Sequence, residues 1–184
     1  MPTSSFKKVG QVLGVLSHIK PPKTVLDIGV GFGKYGMLLR EHLDIRKLRY
    51  AKSDWTTTID GVEIWPEYIT PIHRFIYDDL ILGDIRELVY ELDPYDLVVM
   101  SDVLEHLDKN EGRTLLLILR AKGCKAIVCS YPKLIGSHWR LWDNPHEEHR
   151  TIWTAEEFEE LFPGHVVKNG TQVVYILEEL ADEG

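Results

Sequence analysis

Cysteine is scarce, with Cys124 and Cys129 the only two in 184 residues. Two cysteines cannot build the disulfide framework of a small secreted fold, and both fall in one apolar stretch, which reads as reduced core. Long apolar runs are missing as well. No segment reaches the roughly 18 consecutive apolar residues of a membrane-spanning helix. Residues 1–8 carry two lysines without a following apolar run and small-residue cleavage site, so no secretory leader is read and a cytoplasmic location is the expectation. Positive charge is the minority sign. Lys plus Arg total 21 against 29 for Asp plus Glu, a formal net charge of -8. That balance is the wrong sign for a dedicated nucleic-acid binder and makes such a partner unexpected. Internal repeats and low-complexity tracts are also absent.

The composition that remains is ordinary globular, 44% hydrophobic and 27% charged. The length suits a single domain over residues 1–184, with an N-terminal helix and lead-in over 1–22 and a core over 23–178. Phe6, Val9, Leu13, Leu16 and Ile19 recur at three- and four-residue spacing, which predicts an amphipathic helix ended by Pro21 and Pro22. Strand patterns follow at Thr24–Ile28, Ile59–Ile64, Leu80–Leu82, Leu97–Met100 and Ala126–Ser130, then at Val166–Val167 and Thr171–Leu177. Helical patterns fall at Tyr35–Leu43, at Asp108–Lys122 and at Thr154–Phe162. The second of these opens with Asp108 and Glu111, and the third with Thr154 and Glu157, both capping-box spacings. The alternation of strand and helix predicts a mostly parallel sheet covered on both faces. Asn169-Gly170 between two apolar runs is a hairpin signal, so the sheet is expected to end in an antiparallel pair. Arg46, Lys47, Arg49 and Lys52 lie in an aperiodic stretch that reads as a solvated loop, or else as a positive rim for an anionic substrate.

Val25-Leu-Asp-Ile-Gly-Val-Gly-Phe-Gly-Lys-Tyr-Gly36 carries the most chemistry. A strand runs into glycines and then into a helix. Glycines allow sharp turns and close approach of a ligand to backbone, and the helix start offers free N–H groups. A nucleotide-like ligand at the carboxyl end of a parallel sheet fits this layout. The dinucleotide fingerprint Gly-x-Gly-x-x-Gly fails from Gly29, where Lys34 holds the third place. It matches from Gly31 through Gly36, but leaves Asp27, Gly29 and Gly33 unexplained. A phosphate-binding P-loop is excluded, because no Gly-Lys-Ser or Gly-Lys-Thr follows.

Asp27-x-Gly29-x-Gly31-x-Gly33 resembles the first motif of class I S-adenosylmethionine-dependent methyltransferases. Gly61-Val-Glu-Ile64, Gly83-Asp84-Ile85 and the stretch Tyr95–Leu107 are similar, in order, to the later motifs of that family. The resemblance covers residues 23 to 178. It implies a single doubly wound, Rossmann-like α/β domain with a seven-stranded sheet, and S-adenosyl-L-methionine as cofactor. It further implies that Gly29, Gly31 and Gly33 admit the methionine and ribose portion. Asp27 would hold the loop or the cofactor's amino group, Glu63 the ribose hydroxyls, and Asp84 the adenine amino group with the Ile85 amide nearby. Ser101 would meet the methionine moiety through its backbone. Asp60 is an alternative to Glu63, and Asp84 also has the position of a helix cap.

Asp102 and His106 follow the fourth strand and are candidates for a catalytic base, with Glu105 beside them. Asp102-x-x-Glu105-His106 also resembles stretches of quinone-biosynthesis O-methyltransferases and small-RNA 2′-O-methyltransferases in which a divalent cation is implied. No metal set is assigned here, since Asp in the first place shortens the reach. Residues 137–153 hold three of the five tryptophans and three of the eight histidines. This loop is read either as an acceptor pocket built on Trp139, His146, His149 and Arg150, or as a cover over the core. The expected activity is methyl transfer to a small-molecule oxygen or nitrogen. The alternative is a methyltransferase-like binding module without catalysis.

Overall fold

The computed structural model describes residues 3–133 and 144–178. Its strands are β1 (Thr24–Ile28), β2 (Thr58–Glu63), β3 (Leu80–Leu82), β4 (Leu97–Ser101), β5 (Ala126–Ser130), β6 (Val166–Lys168) and β7 (Val173–Leu177). They form one sheet in the order β3-β2-β1-β4-β5-β7-β6. The pairings among β1 to β5 are parallel, while β7 runs antiparallel to both β5 and β6. The helices are α1 (Phe6–Leu13), α2 (Lys34–Leu43), α3 (Pro71–Ile76), α4 (Ile85–Leu88), α5 (Lys109–Ala121) and α6 (Ala155–Leu161).

Side chains alternate across the strands and divide the core in two. Val25, Leu97, Val99 and Val128 pack with Val12, Leu39 and Ile76, so α1, α2 and α3 cover one face. Leu26, Val98, Met100 and Ile127 pack with Leu115, Leu119 and Phe158, so α5 and α6 cover the other. Every residue of β4, β5 and β7 is buried, which is why these strands read as continuous apolar runs rather than alternating ones. Both anticipated capping boxes are present, at Asp108 with Glu111 and at Thr154 with Glu157.

Three departures from the sequence pattern have physical causes. The face that α1 buries is shifted by about one position: Lys8, Val12 and Val15 are buried, whereas Phe6 is 82% exposed. Lys8 is drawn inward by Asp102 and by the Tyr131 carbonyl, at 2.6 and 3.1 Å. The short helix α3 has no sequence signal, because one turn or so is too brief to show a period, and α4 is signalled only by the cap position of Asp84. The basic stretch after α2 does not form a rim. Arg49 pairs with Asp44 at 3.2 Å, and Lys52 donates to the carbonyls of Phe75 and Tyr77.

The strand order reverses between β1 and β4. Chains leaving the two strands diverge there and open a crevice at their carboxyl ends, the usual ligand site of an open parallel sheet.

Candidate active site

A cavity of about 370 Å³ occupies that crevice, within the size range of small-molecule sites. Gly29, Gly31, Glu63, Asp84 and Ile85 line it from β1, β2 and the start of α4, and Glu105, His106, His146, His149 and Arg150 line it from the segments after β4 and β5. Ser101 and Asp102 line it as well.

The glycine turn leaves β1 with Gly29, Gly31 and Gly33 all at positive φ, from 50 to 80°. A side chain is disfavoured at each. A Cβ on Gly29 would also press on the Val103 side chain, at 2.7 Å. Gly33 heads α2 and backs onto His73, where a Cβ would come within 3.2 Å of the imidazole. Gly36 lies inside α2, beneath the loop, and a Cβ there would overlap the Tyr77 ring. That placement explains the glycine that half-matched a dinucleotide fingerprint: it clears space for a tyrosine.

Glu63 ends β2 and turns into the crevice. Its two oxygens accept from the Gly31 and Trp65 amides, at 3.0 and 2.9 Å. Each oxygen keeps a second lone pair for a ligand hydroxyl. Burial raises the Glu63 carboxyl above its ordinary range. Asp60, the alternative, bonds instead to the Tyr95 hydroxyl and the Asp79 amide. Asp27 is only 2% exposed and lies under the turn rather than on the cavity wall. The Tyr77 hydroxyl donates to it at 2.6 Å. Burial pushes the Asp27 carboxyl up to about 7, against the bonds from Tyr77 and the Gly36 amide.

Asp84 caps α4 by accepting from the Arg86 amide at 2.9 Å and pairs with the Arg86 guanidinium. That guanidinium holds the Asp84 carboxyl below its usual range. Asp84 is thus both the anticipated cap and a wall of the cavity. The Ser101 hydroxyl meets those of Ser4 and Ser130 at 3.0 and 2.8 Å.

Asp102 sits at φ 57°, a left-handed conformation uncommon for a non-glycine residue. Its carboxylate is fixed by Lys8 at 2.6 Å and by the Ser130 hydroxyl at 3.2 Å. His106 has no such ionic partner. Its Nδ1 lies 3.1 Å from the Glu148 carbonyl, which sets the proton on Nδ1 and leaves Nε2 as an acceptor. Burial lowers the His106 pKa and favours the neutral ring.

Glu105 is 1% exposed, and among the described residues its Oε2 has no hydrogen-bond partner. Burial pushes this carboxyl up to about 8. Ligand atoms of Glu105, His106 and His149 lie within 4.8 Å of one another. The loop that starts at Asn144 is held by side chains that sequence reading missed. Tyr68 donates to Glu147 at 3.0 Å, and Asn144 donates to Tyr68 at 3.1 Å. The Arg150 and Thr151 amides both bond to the Glu105 carbonyl. Trp153 serves the core, its indole N–H bonded to the Leu104 carbonyl. Trp139 lies outside the described residues.

A family model described as a methyltransferase domain matches residues 6–165. The chain therefore belongs to that family, the class I methyltransferases of the sequence resemblance. None of the curated proteins matches the sequence. Solved structures share the fold. A SAM-dependent methyltransferase from Archaeoglobus fulgidus aligns with TM-score 0.54 and 20% identity, covering 83% of this chain and 64% of its own. The methyltransferase domain of bacterial CtHen1-CN aligns at 0.57 and 19%, covering 92% and 95%. The N-terminal domain of EvdMO1, crystallised with SAH and D-fucose, aligns at 0.62 and 16%, covering 96% and 85%. At these identities the likeness is one of fold. Among the described residues, no helix is long and apolar enough to cross a membrane.

Proposed function

We propose that this chain transfers a methyl group from S-adenosyl-L-methionine to an oxygen or nitrogen of a small molecule. One observation carries the reading. The glycine turn, Glu63 and a cluster of histidines line the same cavity. The residues fit the cofactor. Positive-φ glycines leave backbone bare where methionine and ribose would lie, and Glu63 keeps lone pairs for the ribose hydroxyls. The wall at Asp84 and Ile85 would face adenine, and Ser101 the methionine moiety. The cofactor supplies an activated methyl on a sulfonium, and in-line displacement then depends on orientation. His106, whose Nδ1 bond to the Glu148 carbonyl leaves Nε2 as an acceptor, would take the acceptor's proton. Asp102, locked to Lys8, orients the turn after β4. His146, His149 and Arg150 line the acceptor side, and the net charge of -8 favours a small acceptor over a polynucleotide.

A second reading has its own support. One buried carboxylate, with an oxygen unpartnered among the described residues, and two imidazoles are a donor set that suits a divalent transition metal. Glu105, His106 and His149 would hold such a cation, which would lower the pKa of an acceptor hydroxyl. His106 would then be a ligand and not the base.

The test is label transfer from methyl-labelled S-adenosylmethionine across a panel of hydroxy and amino acceptors, with and without chelator. Transfer that survives chelation supports the first reading. Transfer abolished by chelation and restored by one added cation supports the second. Cofactor binding without transfer across the panel would favour a binding module.

A further inference from the structure

The underside of the glycine turn is built from side chains outside the motifs that carry the family resemblance. Helix α3 supplies His73, and the residue after it is Tyr77. Both are 1% exposed. The His73 ring is fixed at both nitrogens. Nδ1 accepts from the Thr70 amide at 3.1 Å, which leaves the proton on Nε2. That N–H donates to the Gly31 carbonyl at 2.9 Å. Burial lowers the His73 pKa, in keeping with a neutral ring. The two rings stack 12° from parallel, with centroids 6.2 Å apart. Tyr77 then runs under the turn to Asp27. Gly36 clears its path, since a Cβ there would overlap the phenol. Gly61, the β2 residue in register with Asp27, also lies beside the ring, but a Cβ there would meet Val30 first, at 2.6 Å, and the Tyr77 ring at 3.1 Å.

We propose that His73 and Tyr77 are positioning residues for cofactor binding: His73 fixes the peptide at Gly31, and Tyr77 fixes the carboxylate of Asp27 beneath the turn. This rests on the cofactor reading given above. Neither residue lines the cavity, so each acts through the turn and not by contact. The Gly31 peptide is held on both sides, its carbonyl by His73 and its amide by Glu63. A turn with three positive-φ residues has many alternative conformations, and two fixed points select one before the cofactor arrives. The groups facing Asp27 are the Tyr77 hydroxyl, the Gly36 amide, Glu63 and the Tyr35 phenol. A hydrogen bond to the ionised carboxylate favours that form, so loss of the Tyr77 hydroxyl moves Asp27 ionisation to higher pH.

The experiment is calorimetric titration of the full chain with S-adenosylhomocysteine, on wild type, His73→Gln, His73→Asn and Tyr77→Phe, each checked by thermal melting. Gln places a terminal N–H near the position of Nε2, whereas Asn reaches only as far as Nδ1. If His73 serves the turn, Gln retains affinity within a few fold and Asn loses about tenfold or more. If His73 serves only as the cap of α3, the order reverses, and that order overturns the assignment. Tyr77→Phe is expected to lose about tenfold at neutral pH and to recover part of that loss near pH 8.5. An equal loss at every pH, or no loss, would overturn the role of Tyr77. Failure of wild type to bind would reject the cofactor reading and this proposal with it. Wild-type binding with the wrong variant order rejects this proposal alone.

Discussion

Two parts of the cavity lining are built differently. The glycine turn and Glu63 stand on strand termini and are held from below by buried hydrogen bonds: Gly31 between His73 and Glu63, and Asp27 by Tyr77. The second part, from Asn144 to Arg150, is a loop. It hangs on the Tyr68–Asn144–Glu147 cluster and on two amides bonded to the Glu105 carbonyl. Under the proposed function, a cofactor of fixed shape would meet a preformed socket, and the acceptor would meet side chains on a loop, where variation disturbs the core least.

Substitutions can break or sharpen that contrast. The largest effect is expected at Gly36. Gly36→Val drives Tyr77 off Asp27, costs about 1–3 kcal/mol of stability and abolishes binding of S-adenosylhomocysteine, as read by chemical denaturation and calorimetry. Next is Asp27→Asn, whose effect depends on pH. The folded-state pKa of about 7 exceeds the ordinary value of 3.8, so the native protein binds more protons than the unfolded chain between those pH values. Wild-type stability therefore falls as pH rises from about 4 to 7 on account of this group. Asp27→Asn is expected to gain roughly 2–4 kcal/mol above pH 7, little below pH 4, and to lose cofactor affinity. A denaturation series against pH checks the sign.

A smaller effect is expected from Tyr68→Phe at the loop. It frees Asn144 and Glu147, and should raise acceptor KM a few fold while leaving cofactor affinity within about twofold. A large change in cofactor affinity there would erase the difference between the two parts. The smallest is Lys168→Ala, which removes an exposed pair with Glu156 on the edge strand. Its cost should stay below about 0.5 kcal/mol.

The same contrast decides what was legible in the sequence. The first part depends on short-range chemistry: Asp27 to Gly33 is seven consecutive residues, and Glu63 stands at the end of an apolar run. Strands β1, β4 and β5 could be read because buried parallel strands are continuous apolar segments, and β6 and β7 because Asn169-Gly170 separates their apolar runs. What supports the turn was not legible. His73 and Tyr77 reach it across more than 40 residues, from a helix too short to show a period. Lys8 lies off the apolar spacing of α1, and its burial follows only from its partner Asp102, 94 residues away. Glu105, His106 and His149 could be flagged as residue types, but the proximity of all three depends on how the loop after Asn144 returns over β4. Trp153, within residues 137–153, is buried in the core, in line with the second of the two readings of that loop.

The most direct test is calorimetric titration of the purified chain with S-adenosylhomocysteine, in parallel with the Glu63→Ala variant and with NAD as a control ligand. The expected result is saturable one-site binding in the wild type, weakened about tenfold or more in the variant, with no binding of NAD. Absence of wild-type binding, equal affinity in Glu63→Ala, or preference for NAD would contradict the assignment of the glycine turn and Glu63 as the cofactor socket.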